Sequence, residues 1–129
     1  MGSGSCSPAW MARSLSDNKL GYIRDNYPKG LQRSLVAYGL ATVPVDIEVE
    51  LSIKHGRTDD LRITLIDPNG VEGLVWDRTR GPLEPRMRVT GIPGDDNVNG
   101  RWTLKVVDQR SGKSGVLDSW TLHLTSRWD

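Results

Sequence analysis

The segment VPVDIEVELSI, residues 43–53, constrains the fold more than any other part of the chain, because apolar and polar side chains alternate in it without exception. The apolar side chains occupy the odd positions: Val43, Val45, Ile47, Val49, Leu51 and Ile53. Successive side chains of a β-strand point to opposite faces, so this pattern predicts a strand with one buried and one solvated face. An α-helix would scatter the same side chains around its circumference.

Shorter segments repeat this alternation or form brief apolar runs, at residues 34–40, 61–65, 71–76, 86–89, 102–106 and 120–124. The tetrapeptide DPNG at 67–70 has the residue preferences of a tight turn and predicts a hairpin. Residues 13–34 show no clear period and are interpreted as an arm or an edge strand. No window shows helical spacing over three turns, so the sequence predicts an all-β sandwich or jelly roll of antiparallel strands.

Tryptophan supplies most of the large rings, with five Trp residues and no Phe. Trp76, Trp102 and Trp120 fall within strand patterns, and we expect them to anchor the core rather than to stack on sugars. Trp10 and Trp128 lie near the ends of the sequence and are expected to be exposed.

Length and charge limit the function classes. A chain of 129 residues predicts one domain, and the near balance of 17 basic and 16 acidic residues argues against binding to nucleic acid. No apolar run is long enough to span a membrane, and the single Cys6 excludes an intramolecular disulfide. The Gly/Ser-rich start is not a signal peptide, so residues 1–13 are predicted to be a leader or linker and residues 14–129 the domain.

Catalytic motifs are missing from the sequence. The Gly-x-Ser-x-Gly nucleophile motif does not occur, nor does a His or Cys pattern for zinc. His55 precedes Asp59 and Asp60 closely, but no serine partner can be identified, and a turn in which these side chains bond loop amides is the favoured interpretation. His123 falls on the solvated side of the last strand.

The loop GDDNVNG, residues 94–100, has Asp95, Asn97 and Asn99 at alternate positions, like the first half of an EF-hand calcium loop. The twelfth position of such a loop, a bidentate Glu, is Val106 here, so the EF-hand is excluded. A calcium site built from several loops of a sandwich stays open, with five candidate ligands: Asp59, Asp60, Asp95, Asp96 and Asp108. Capping of loop amides is the alternative role for Asp60 and Asp108.

Three segments in order resemble the P domain (homo B domain) of proprotein convertases and bacterial subtilisin-like serine proteases. They are IKHGRTDDLRITLIDPNG, NGRWTLKVVD and SGKSGVLDSWTLHL, and DNYPKG at 25–30 is similar to the opening of that family. The resemblance covers roughly residues 25–125. Asp59 replaces a Gly that is common in the family, and the stretch between Trp76 and Gly100 lacks the acidic run of many relatives.

The resemblance implies a jelly-roll β-sandwich of the galactose-binding-like type, attached to a protease catalytic domain in the same parent chain. It implies a secreted, extracellular protein in which this domain is non-catalytic and stabilises or regulates the protease, with protein substrate as a further partner. We expect an apolar docking patch without rings on such a domain. An exposed aromatic row would instead indicate a free-standing module that binds collagen or polysaccharide, and a metalloprotease parent also stays open.

Overall fold

The structure is a computed structural model that describes residues 10–24, 29–55, 60–77, 85–109 and 115–128. Within these ranges the chain forms β-strands and no α-helix. In chain order the strands are β1 Met11–Asp17, β2 Gly21–Ile23, β3 Leu31–Ala37, β4 Val43–His55, β5 Leu61–Ile66, β6 Glu72–Asp77, β7 Arg86–Arg88, β8 Gly100–Asp108 and β9 Gly115–Arg127. The described ranges therefore also contain no helix that is long and apolar enough to cross a bilayer.

The strands form two antiparallel sheets, as the alternation predicted. The first sheet has the order β1-β9-β4-β7, with β2 also paired to β9, and the second has the order β3-β8-β5-β6. The longest pairing joins β9 to β4 and runs from Gly115 opposite His55 to Arg127 opposite Val43. The predicted hairpin is also present, since β5 pairs with β6 across the turn at residues 67–70.

The inward faces of both sheets form one hydrophobic core. Its side chains come from alternate positions, such as Val49 and Leu51 on β4, Ile63 and Leu65 on β5, and Leu122 on β9. Five of the six inward positions of β4 are therefore buried or half-buried. Val45 is 37% exposed because it falls at a register irregularity, where Thr125 pairs with Asp46 and Ser126 with Pro44.

Strand β1 begins inside the segment predicted to be a leader. Met11 pairs with Ser126 and Ala12 with Thr125, so residues 11–13 belong to the sheet rather than to a linker. The short alternation of Met11, Arg13 and Leu15, which are all half-buried, is the signal that the prediction overlooked. Residues 1–9 of the predicted leader lie outside the described residues.

The sandwich has two ends, which carry different polar residues. Strands β4 and β8 finish at one end, called here the His55 end, with His55, Asp60 and Asp108. Strand β5 finishes and β8 starts at the other, the Asp67 end, with Asp67 and Asp96. At about 3.3 Å per residue, β8 alone separates the two ends by roughly 26 Å.

Candidate functional site

At the His55 end, a histidine and an aspartate join the two sheets. His55 Nε2 lies 2.9 Å from Asp108 Oδ2, and both side chains are fully buried. His55 ends β4 in the first sheet, and Asp108 ends β8 in the second. Because a buried carboxylate is stabilised only by a close donor or opposite charge, this contact locks the sheets at one end.

Asp60 lies next to this pair, because it directly precedes Leu61, which pairs with Asp108. Asp60 is completely buried, and its backbone carbonyl oxygen accepts a hydrogen bond of 2.9 Å from the Gln109 amide. This backbone bond joins the residue after β8 to the residue before β5, whereas capping of loop amides by the Asp60 carboxylate stays a prediction. The carboxylate of Asp108 contacts the His55 imidazole, and its expected role in capping loop amides stays a prediction.

At the Asp67 end, one carboxylate organises the β5–β6 turn. Asp67 is 2% exposed, and its Oδ1 accepts hydrogen bonds of 2.9 Å from the amides of Asn69 and Val71. This is an Asx-type turn, in which a side chain replaces a backbone acceptor. The second oxygen, Oδ2, is buried, and no hydrogen-bond donor reaches it in the described part of the chain.

Asp96 brings a second carboxylate to the same place. Its Oδ2 is also shielded from solvent without a donor among the described residues. The carboxyl group of Asp67 lies within hydrogen-bonding reach, and this contact raises the pKa of Asp96 above its ordinary value. Burial and the charge of Asp67 add to the increase, whereas the side chain of Asn69 opposes it. Sequence reasoning proposed Asp96 but missed Asp67, which was interpreted only as a turn residue.

The five aspartates predicted as calcium ligands do not converge. Asp60 and Asp108 lie at the His55 end, Asp95 and Asp96 lie at the Asp67 end, and Asp59 lies outside the described residues. Asp95 is exposed. Across the described ranges, no three His, Cys, Asp or Glu side chains are grouped to hold a metal. A single site of all five is therefore ruled out by the length of β8 between the two ends.

His123 bridges two side chains on the outer face of the first sheet. Its Nδ1 lies 2.7 Å from Ser14 Oγ on β1, and its Nε2 lies 2.9 Å from Glu50 Oε1 on β4. The side chain of His123 is 20% exposed and that of Glu50 is 50% exposed. The expected solvated histidine is therefore hydrogen-bonded on both sides, because β9 lies between β1 and β4 in the sheet.

A serine, a histidine and a carboxylate in series are also the parts of an acyl-transfer relay. Such a relay needs a substrate cleft and amide donors aimed at an oxyanion. Ser14, His123 and Glu50 instead lie on an open, pleated sheet face, and the described cavities are lined by other residues. The arrangement acts as a cross-strand hydrogen-bond network that fixes the positions of β1 and β4 on β9.

The three tryptophans predicted as core anchors differ in burial. Trp102 and Trp120 are each 1% exposed, whereas Trp76 is half-buried and packs against the core from β6. The Trp102 indole Nε1 donates a 2.8 Å hydrogen bond to the Val98 carbonyl, but Trp120 Nε1 has no acceptor in the described part of the chain. Trp10 and Trp128 are exposed, as expected.

The sequence matches the family model described as the proprotein convertase P-domain over residues 44–124. It is 34% identical over 84 residues to a transglutaminase-activating metalloprotease of Streptomyces mobaraensis, covering 61% of this chain and 11% of that protein. It is 33% identical over 78 residues to an extracellular basic protease of Dichelobacter nodosus, covering 60% of this chain and 13% of that protein. The chain thus spans only a small part of the curated relatives it matches.

The fold is also similar to part of the serine protease of Aeromonas sobria, solved in complex with its chaperone. The TM-score is 0.80 at 19% identity, covering 98% of this chain and 28% of that one. A second structure of that protease superposes with a TM-score of 0.76 at 20% identity, covering 96% of this chain and 28% of the other. The family model matches residues 44–124, which is more than half of the chain and extends from β4 to β9. The chain therefore belongs to the proprotein convertase P-domain family.

Proposed function

We propose that this chain is the non-catalytic accessory domain of a secreted subtilisin-like serine protease and that it stabilises or regulates the catalytic domain. The family match over residues 44–124 carries the proposal. The two curated relatives are proteases in which the matched part is 11% and 13% of the length, so the module accompanies other domains there. The name of one relative describes it as extracellular, which supports secretion.

Exposed aromatic side chains at the Asp67 end provide a candidate contact surface for the catalytic domain. Trp10 directly precedes β1, Tyr38 directly follows β3 and Trp128 directly follows β9. These three residues, named here the ring patch, are 57%, 70% and 61% exposed. Arg13 lies 5.8 Å from the centre of the Tyr38 ring and donates a 2.9 Å hydrogen bond to the Tyr38 carbonyl, which holds this ring in place.

The ring patch differs from the expected docking surface, which was apolar but without rings. Large exposed aromatic side chains cost free energy in water and are enriched in the centres of protein interfaces. A domain that continues from either side of residues 10–128 would emerge beside these rings. An interface of about 600–1,500 Å², typical of adjacent domains in one chain, would cover them.

Exposed rings would also suit a free-standing module that binds collagen or polysaccharide, so the ring patch alone does not separate the two functions. The protease relatives favour the accessory role. One of these relatives is a metalloprotease. The serine class of the parent protease is therefore a separate part of the proposal, which needs its own test.

The proposal is tested in the complete parent protein, produced from the gene that encodes this chain. We expect a triple variant, Trp10→Ala, Tyr38→Ala and Trp128→Ala, to lower the melting temperature of the catalytic domain and the yield of active protease. Tyr22→Ala is the matched control, because Tyr22 is 71% exposed on β2 at the opposite end. Covalent labelling by a serine-protease inhibitor identifies the parent class.

Two results would contradict the accessory role. One is a triple variant whose catalytic domain is as stable and as active as that of the wild type and of Tyr22→Ala. The other is peptide hydrolysis by the isolated 129-residue chain. Binding of that chain to collagen or polysaccharide, abolished by the triple variant, would favour the alternative module.

A further inference from the structure

We infer that Asp67 and Asp96 bind one divalent cation, calcium, at the Asp67 end of the sandwich. The inference is independent of the accessory role, because it concerns two carboxylates of this chain alone. It replaces the five-aspartate site considered from the sequence with a smaller site that includes one new residue, Asp67.

The central observation is a buried carboxylate oxygen that has no donor. Asp67 is 2% exposed, and its Oδ2 has no hydrogen-bond partner in the described ranges. Asp96 Oδ2 is shielded from solvent in the same way, and the two carboxyl groups are within hydrogen-bonding reach of each other. Nearly all buried polar atoms in folded proteins have a partner, so two neighbouring carboxyl groups that each keep an unpartnered, shielded oxygen indicate a missing positive group.

The backbone around these carboxylates prevents them from moving apart. Asp67 is held by the two amides that its other oxygen accepts, those of Asn69 and Val71. Behind it, Gly100 approaches the turn so closely that a Cβ there would lie 2.7 Å from Pro68 Cβ. The mutual repulsion of the two acids therefore cannot be relieved by a small movement of the turn.

The loop that carries Asp96 is fixed on its other side. Asn99 Oδ1 accepts a 2.9 Å hydrogen bond from the Leu40 amide, and its Nδ2 donates a 2.9 Å bond to the Leu40 carbonyl. The Val98 amide donates a 2.9 Å bond to the Thr42 carbonyl, and the Val98 carbonyl accepts from the Trp102 indole. The oxygens are thus presented by two rigid loops rather than by flexible side chains.

The donor set favours calcium over softer metals. Carboxylate oxygens are hard ligands, and calcium accepts six to eight oxygens in flexible geometry. Two carboxylates leave several positions for water, which the exposed neighbours Asn69 and Asp95 would allow. So few charged ligands predict a weak site, with a dissociation constant of about 10⁻⁴–10⁻³ M, as in extracellular modules.

The test is a calcium titration of the 129-residue chain after treatment with a chelator, followed by thermal unfolding at neutral pH. We expect 10 mM calcium to raise the melting temperature by about 5 °C. This is the shift expected when the ligand concentration is about ten times the dissociation constant. Asp96→Asn and Asp67→Asn should lose most of this shift, and Asp95→Asn should keep it. Asp96→Asn is the primary variant, because Asp67 also holds the turn.

Terbium provides a direct readout that does not depend on stability. Trp102 donates to Val98 within the same loop, so its excitation should sensitise luminescence of Tb³⁺ bound between the carboxylates. Calcium should displace the signal, and Asp96→Asn should abolish it while Asp95→Asn leaves it unchanged.

Three results would overturn the site. They are the absence of both a thermal shift and terbium luminescence in the wild-type chain, a full calcium response in the Asp67→Asn/Asp96→Asn double variant, and equal loss in Asp95→Asn. A chain that is insensitive to calcium but becomes more stable with Asp96→Asn would show that the two acids share a proton instead of a cation.

Discussion

His55 and Asp108 form a buried contact between the two sheets, with Nε2 and Oδ2 2.9 Å apart and both side chains inaccessible to solvent. The contact joins the last residue of β4 to the last residue of β8, so it closes one end of the sandwich. Leu61, the first residue of the neighbouring strand β5, pairs with Asp108.

Replacing His55 should therefore destabilise the fold strongly. We expect His55→Ala to reduce the free energy of unfolding by roughly 3 kcal/mol, because the buried Asp108 carboxylate would lose its imidazole partner. Urea denaturation measures the loss. His123→Ala is the control, since its partners are on the surface and its cost should stay below about 1 kcal/mol. Equal losses in both variants would contradict a special role for the buried pair.

Trp102 and Trp120 are equally buried but differ in hydrogen bonding. Trp102→Phe should cost about 1–2 kcal/mol more than Trp120→Phe, because it orphans the Val98 carbonyl as well as removing ring volume. Trp120→Phe removes an indole N–H that has no acceptor in the described part of the chain, which offsets part of its volume loss. Chemical denaturation of both variants provides the comparison, and the reverse order would exclude this explanation.

Glu48 should make stability depend on pH in the acidic range. The hydrogen bond from Arg86 lowers the pKa of Glu48, assisted by the charges of Arg86, Arg88 and His123. A lowered pKa means that the stabilisation is present above the ordinary value near 4.5 and is lost as the pH falls through the folded-state pKa.

Glu48→Gln should therefore reduce the unfolding free energy at pH 6 by less than about 1 kcal/mol, as for other surface pairs. The difference from the wild type should disappear as the pH falls below the folded-state pKa of Glu48. Urea denaturation across this range measures it, with Glu72→Gln on the edge strand β6 as the control. A difference that persists at the lowest pH would count against the Arg86 contact as its cause.

Ser14 should not behave as a nucleophile despite its contact with His123. A fluorophosphonate probe should leave Ser14 unlabelled in the isolated chain, because Ser14 lies on a pleated sheet face and lines neither of the described cavities. Mass spectrometry after labelling gives the answer, and Ser16→Ala controls for a neighbouring hydroxyl on the same strand. Labelling of Ser14 that disappears in His123→Ala would make this face a catalytic site.

The contrast between β4 and β1 explains how much of the fold was predictable. In β4, six apolar side chains at alternate positions can share one face only if the segment is a β-strand. The alternation runs over residues 43–53 and so predicted nearly the whole of the strand Val43–His55. In β1, only Met11 and Leu15 are apolar on the inner side, and both are half-buried at the edge of the sheet. An edge strand buries less area, so its sequence carries a weaker signal.

The candidate site was predictable only in part for a related reason. Asp96 lies in a conspicuous polar loop, whereas Asp67 resembles an ordinary residue of a Pro-Asn-Gly turn. Their residue numbers differ by 29, and nothing in local spacing indicates that the two loops meet. The same holds for Ser14 and His123, which are 109 positions apart in the sequence.

The period of two, the turn at 67–70 and the family motifs can all be identified from the sequence, and these features specify paired antiparallel sheets around tryptophan. Each of them depends on neighbours along the chain, where side-chain direction follows directly from backbone geometry. The contact of His55 with Asp108, the proximity of Asp67 to Asp96 and the position of the ring patch at one end become visible only in the folded chain. Those contacts depend on strand order and register between distant segments, which local patterns do not encode.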